Sequence, residues 1–253
     1  MNDNNASYAN KWRYNGAGER YDTVIYGDSS WDSLLSLIEE GLFRELLGEH
    51  CPAHSEASSL DFACGTGRIL LFLRPLVRSV LGVDISSEML HEARKKVHSV
   101  QLLCTDIVTS PESVPGSQDV ITCFRFLLNA EPELRLNCVR ELSKKLRSEN
   151  SIIVFGIHGN PWNYRSPFVS LCTRVRKGRP SSRGFSLRDM RELASACGLE
   201  IVDATGFGFI PRHVGKYVPR RVSILVERAL AGRLFFWRFG SNLIVICRRK
   251  MSL

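Results

Sequence analysis

The sequence predicts an α/β fold around a doubly wound, largely parallel sheet. Two observations predict it. Strand-like and helix-like patterns alternate from Ser59 to Cys247, which builds parallel strands joined by helical crossovers. The first strand, Ser59-Leu60-Asp61-Phe62-Ala63, runs straight into a glycine turn, Cys64-Gly65-Thr66-Gly67, that opens an apolar helix at Arg68.

Taken in order, residues 1–20 are a polar leader. Trp31, Leu34, Leu35, Ile38, Leu42 and Leu46 then recur at helical spacing and predict an amphipathic helix over 31–48. The helix opened at Arg68 stops near Pro75. Strands follow at Ser79–Asp84, Val100–Thr105, Asp119–Phe124 and Ser151–His158. The helices between them are Ser86–Lys96, with Ser86 as N-cap, and Glu131–Arg147. Ser186-Leu187-Arg188-Asp189 resembles a capping box, Leu187, Met190, Leu193, Ala194 and Cys197 continue with helical period, and Gly198 is a C-terminal stop. Glu200–Ala204 is the next strand, and Asn242–Cys247, rich in β-branched residues, is the last. Two stretches interrupt this order: 160–185, carrying Pro and Arg, and 210–240. Residues 1–50 are therefore read as a leader and helix, and 51–253 as one domain with cap elements at about 160–185 and 210–240. In the second cap, Val218, Val222, Leu225, Leu234, Phe235 and Phe236 are expected on a lid or core helix rather than a membrane anchor.

The 253 residues are 44% hydrophobic and 24% charged, a balance that supports a sizeable core and excludes global disorder. The longest apolar runs fall far short of the roughly 20 residues of a spanning helix. The polar N-terminus lacks a signal-like pattern, so a cytoplasmic address is expected. Eight cysteines without a CxxC pair read as reduced, mostly buried thiols, and neither a disulfide framework nor a zinc site is expected. Net charge is +8 and unevenly placed: residues 165–253 hold 18 Lys/Arg against 5 Asp/Glu. Such a basic third suits an anionic substrate, a membrane surface or nucleic acid, and charge does not choose among them. Arg174, Arg176, Lys177, Arg179 and Arg183 are its densest cluster.

A strand, a glycine turn and a helix start present free backbone N–H groups to a nucleotide-type cofactor. Asp84, 17 residues past Gly67, ends the second strand, where a carboxylate accepts ribose hydroxyls, and Asp106 follows the third. The third glycine of a dinucleotide fingerprint is Leu70 here, which weighs against a nicotinamide cofactor.

In Leu60-Asp61-Phe62-Ala63-Cys64-Gly65-Thr66-Gly67, Gly82-Val83-Asp84-Ile85-Ser86 and Cys104-Thr105-Asp106-Ile107, the chain resembles the class I S-adenosylmethionine-dependent methyltransferases. The resemblance implies a Rossmann-like sheet of seven strands with the last antiparallel. It implies S-adenosyl-L-methionine as cofactor, with Asp61 at its methionine end, Asp84 on the ribose, Asp106 by the adenine, and Ile85, Met89 and Ile107 flanking that ring. Ala63, Cys64, Gly65, Gly67 and Phe124 complete the expected cofactor set. Ala63 stands where many relatives have glycine. Tyr21-Asp22-Thr23-Val24-Ile25-Tyr26-Gly27 looks like the N-terminal segment of small-molecule methyltransferases, where aromatic side chains close over the cofactor. Tyr21 is thus a cofactor candidate and Tyr26 a catalytic one.

Acceptor-side candidates stand where the fourth and fifth strands end: Arg125 and Asn129 after one, His158, Trp162 and Tyr164 after the other. His158 is the candidate base, because imidazole titrates near neutral pH. A partly buried structural histidine is the competing reading for it, and a pair with Glu131 the competing one for Arg125. The absence of Asn-Pro-Pro-Tyr or Asp-Pro-Pro-Tyr after the fourth strand argues against exocyclic amine methylation of bases, and no acid cluster there suggests a metal. The expected activity is methyl transfer to oxygen or nitrogen of a small molecule, in natural-product, sugar or glycoconjugate chemistry. Methylation of RNA or protein and an NAD(P)-dependent oxidoreductase are the alternatives.

Overall fold

The computed structural model describes residues 30–160, 184–215, 217–231 and 236–250. Tyr21, Tyr26, Trp162, Tyr164 and the cluster from Arg174 to Arg183 lie outside the described residues.

Seven strands form one sheet: β1 (Ser58–Phe62), β2 (Ser79–Asp84), β3 (Gln101–Cys104), β4 (Val120–Phe124), β5 (Ile152–His158), β6 (Leu199–Phe207) and β7 (Asn242–Arg249). Their order is β3-β2-β1-β4-β5-β7-β6. All neighbours run parallel except β7, which is antiparallel to both β5 and β6. The expected Rossmann-like sheet with an antiparallel last strand is what the chain forms. β6 is the one strand that runs well past its sequence-based bounds, reaching Phe207, because β7 pairs with it as far as Asn242.

The described helices are α1 (Ser30–His50), α2 (Arg68–Leu73), α3 (Ser87–Lys96), α4 (Pro132–Lys144), α5 (Leu187–Ala196), α6 (Arg212–Gly215) and α7 (Arg220–Ala231). Local chemistry fixes their starts. Ser86 caps α3 by accepting from the Met89 backbone N–H, and at α5 Ser186 and Asp189 exchange bonds as a complete capping box. α4 begins at Pro132, whose missing N–H costs nothing in a first turn. One sheet face is covered by α4 and α5 through Cys138, Val139, Leu142, Met190 and Ala194. The other carries α1 and α2 through Trp31, Ile38, Phe43, Ile69 and Leu73. Near Cys64, Leu70 of α2 meets Leu90 of α3 in a smaller cluster.

The structure corrects the expectation for the second cap. Val222 and Leu225 of α7 are exposed, as is Phe236, while Ser223, Glu227 and Ala231 are buried. Of the row expected on a lid or core helix, Val222, Leu225 and Phe236 point outward and Val218 is half-buried, while Leu234 and Phe235 lie outside the described residues. Seven cysteines are described, and all are free thiols.

Candidate active site

The carboxyl ends of β1, β2, β3 and β4 lie side by side, and the loops leaving them surround a cleft of about 900 Å³ counted out to its mouth. Ala63, Gly65, Asp84, Ile85, Met89, Asp106, Ile107, Phe124, Arg125 and Asn129 line it.

The turn after β1 is shaped by left-handed backbone. Gly67 has φ +87°, and a Cβ there would stand 2.9 Å from Cγ2 of Val97, so the turn packs on α3 only because Gly67 has no side chain. Ala63 holds φ +54° without that freedom, a conformation that costs an alanine roughly 1 kcal/mol. Arg125, at the end of β4, has φ +58° and is held by its N–H donating to the Gly156 carbonyl at 2.9 Å. Strained backbone of this kind concentrates at ligand sites.

Asp84 is committed on both oxygens. Oδ2 accepts from the Gly65 N–H at 2.8 Å and Oδ1 from the Ser86 N–H at 2.9 Å, joining the first glycine turn to the start of α3. Burial raises its pKa, against those backbone bonds, which lower it. Asp61 is 1% exposed. Its Oδ1 accepts from the Thr122 hydroxyl at 2.7 Å, and its Oδ2 has no partner. Burial lifts its pKa to about 7, offset in part by the Thr122 bond and by Arg68. Asp106 receives the Val108 N–H at 2.9 Å, which folds the loop after β3 back on itself.

Three expected cofactor residues, Asp61, Cys64 and Gly67, stand back from the cleft wall. Cys64 is buried towards Gly82, and Gly67 faces Ala93 and Val97 of α3. His158 does not line the cleft either. It is partly buried, its Nδ1 has no partner, and burial followed by the charge of Arg125 pushes its pKa down to about 4. Asn160, two residues on, is spent on structure, donating to the Arg238 and Gly240 carbonyls. The cleft also takes in Phe62, Thr105, Phe126, Leu134 and Cys138, which the sequence reading missed. Leu134 and Cys138 share the inner face of α4 at i and i+4, a signal visible in the sequence once that helix is laid over the end of β4.

Residues 60–149 match the family model described as a methyltransferase domain. The matched stretch runs from β1 past the end of α4 and holds the glycine turn with Asp61, Asp84 and Asp106. No curated protein matches the sequence. Among solved structures, magnesium protoporphyrin IX methyltransferase from Synechocystis PCC 6803 with bound S-adenosylhomocysteine is similar over 93% of this chain and 95% of its own, at 15% identity and TM-score 0.60. An S-adenosylmethionine-dependent methyltransferase from Clostridium acetobutylicum ATCC 824 is similar over 92% and 97%, at 18% identity and TM-score 0.58. One from Archaeoglobus fulgidus is similar over 90% and 98%, at 16% identity and TM-score 0.55. At these identities the likeness is one of fold. Among the described residues, no helix is long and apolar enough to cross a membrane.

Proposed function

We propose that the protein transfers a methyl group from S-adenosylmethionine to an oxygen or nitrogen of a small-molecule acceptor of the natural-product, sugar or glycoconjugate class. The observation that carries this reading is the makeup of the cleft. Asp84 and Asp106 line it with apolar side chains from the ends of β1, β2 and β3, together with Arg125, Phe126, Asn129, Leu134 and Cys138.

The residues at the ends of β1, β2 and β3 fit the cofactor, with Asp61 set behind the cleft wall. Asp61 offers a buried carboxylate oxygen without a partner, which suits an ammonium. Asp84, pinned by two backbone N–H groups, retains lone pairs for ribose hydroxyls. Ile85, Met89 and Ile107 provide apolar walls for an adenine beside Asp106. Once bound, the cofactor supplies a sulfonium-activated methyl, so the protein need not activate the donor.

What remains for the chain is to align the acceptor and exclude water. Arg125 and Asn129 are the proposed acceptor contacts, and Trp162 and Tyr164 join them on the strength of their place after β5. Tyr21 and Tyr26 are proposed to close over the cleft. His158 is neutral at pH 7 and set back from the cleft wall beside Arg125, so its proposed role is to accept a hydrogen bond from, and orient, an acceptor group that extends past Arg125. An imidazole whose conjugate acid is that strong holds a proton poorly at neutral pH.

Methyl-radiolabelled S-adenosylmethionine tests the proposal against three acceptor pools: phenols, amino sugars and amines; total RNA; and total protein. Label is expected in the small-molecule fraction. Label confined to RNA or protein overturns the reading.

A further inference from the structure

α7 has the sequence Arg-Arg-Val-Ser-Ile-Leu-Val-Glu-Arg-Ala-Leu-Ala from Arg220 to Ala231, and it buries a stripe that holds a serine and a glutamate while valines and a leucine face out beside the arginines. The buried row is Ser223, Glu227 and Ala231, spaced by four, and Glu227 is 0% exposed. The carboxylate explains the rotation. Glu227 Oε2 accepts from the Gly208 and Phe209 N–H groups at 2.7 and 3.1 Å, and Oε1 from the Ile210 N–H at 2.9 Å. These three donors leave the sheet after β6 and need acceptors. Meeting that need turns Val222, Leu225 and Val226 to solvent, with Leu225 70% exposed.

The exposed row continues beyond α7. Val214 of α6 is exposed, and Tyr217, in the turn between the helices, is 88% exposed. α7 packs against α1, and beside it exposed Leu37 of α1 and Leu71 of α2 line a shallow groove together with Lys96 and Arg220. Surface apolar groups gathered in this way mark an interaction site. The charge around them is mainly basic, although Glu40 of α1 also lines the groove and Arg228 pairs with Glu45 of α1. Residues 212–231 contain Arg212, Lys216, Arg220, Arg221 and Arg228, and their single acid is the internal Glu227.

We infer that this face, the outward row of α7 with Val214, Tyr217, Leu37 and Leu71, docks the enzyme on an anionic membrane surface. Apolar side chains beside arginines, with a tyrosine at the edge, are the composition of helices that lie in a lipid headgroup region. The arginine stems extend along apolar surface while their guanidinium groups reach phosphates. A second copy of the chain is disfavoured, since it would set one arginine rim against another. A convex helix row also suits a deformable lipid phase better than a rigid protein partner. α6 follows the carboxyl end of β6, the sheet edge on which the cleft opens, so docking leaves the cleft near the lipid. The inference stands apart from the choice of acceptor.

Vesicle sedimentation at low and high salt tests it, using phosphatidylcholine with and without phosphatidylglycerol. The wild type is expected to bind only the anionic vesicles and to be released by salt. Arg220→Gln with Arg221→Gln weakens binding roughly thirtyfold, at about 1 kcal/mol per basic residue near an anionic surface. Val222→Asp with Leu225→Asp abolishes it, while thermal stabilisation by S-adenosylhomocysteine is retained and shows the variant folded. Failure of the wild type to bind overturns the inference. So does full binding by the aspartate variant, which would assign attachment to the basic stretch 174–183. Capture by polyglutamate without vesicle binding, or a dimer that the aspartate variant dissociates, also overturns it.

Discussion

The Thr122 hydroxyl on β4 donates to Oδ1 of Asp61 on β1 at 2.7 Å, leaving the other oxygen of that buried carboxylate without a partner. With its pKa near 7, Asp61 changes charge inside the physiological range, and affinity for an ammonium-bearing ligand must follow. Calorimetric affinity for S-adenosylhomocysteine is expected to rise as pH increases through about 7. Thr122→Val removes a bond that favours the carboxylate, so the midpoint moves upward, and Thr122→Ser restores it. A flat profile in the wild type detaches Asp61 from the cofactor.

The same carboxylate sets a stability trend. Its folded pKa lies above the unfolded value of 3.8, so the folded state holds the proton more tightly. The stability this contributes is complete below about pH 4 and lost as pH rises through about 7. Asp61→Asn is expected to flatten that part of the ligand-free melting profile and to leave the variant more stable than the wild type at pH 8. An unaltered slope would show that Asp61 is not the titrating group.

Asp84→Ala is expected to weaken S-adenosylhomocysteine binding at least a hundredfold and to lower stability as well. Each bond from Gly65 and Ser86 to a charged acceptor is worth about 1.5–3 kcal/mol, and relief of the buried charge offsets part of their loss. Paired calorimetry and chemical denaturation measure both effects. From the sequence, Asp84 reads as an exposed strand end whose loss the fold tolerates. In the structure it is buried and ties β1 to α3, so binding lost with no change in stability contradicts the geometry.

For His158, the direction of the shift gives the test. Arg125→Met removes a like charge that opposes protonation, so the His158 pKa is expected to climb from about 4 towards its ordinary value, read by NMR titration of the ring protons. His158→Ala is expected to lower turnover with little change in S-adenosylhomocysteine affinity. Equal losses in both would place His158 with the cofactor instead.

Ala63→Gly should stabilise the protein, because the left-handed conformation at φ +54° strains alanine by more than the extra unfolded-state entropy of glycine costs. The expected gain is about 0.5–1 kcal/mol in denaturant titration. A loss instead would show that the alanine methyl makes packing contacts that outweigh the strain.

By itself the sequence determined the parts of this protein that depend on neighbours along the chain. The alternation of strand and helix, the caps at Ser86 and Ser186, the left-handed stop at Gly198 and the glycine turn before Arg68 are all local, and each stands where its residue types demand. Three acids at successive strand ends converge because parallel strands align their carboxyl ends. What only the tertiary structure decided involves residues far apart in sequence. Thr122 meets Asp61 because β4 lies beside β1. The length of β6 was set by β7, a strand some forty residues later. The period of α7 showed which residues share a face but not which face is buried. Three backbone N–H groups at 208–210 and one carboxylate settled that, since an unmet buried donor costs more than an exposed leucine.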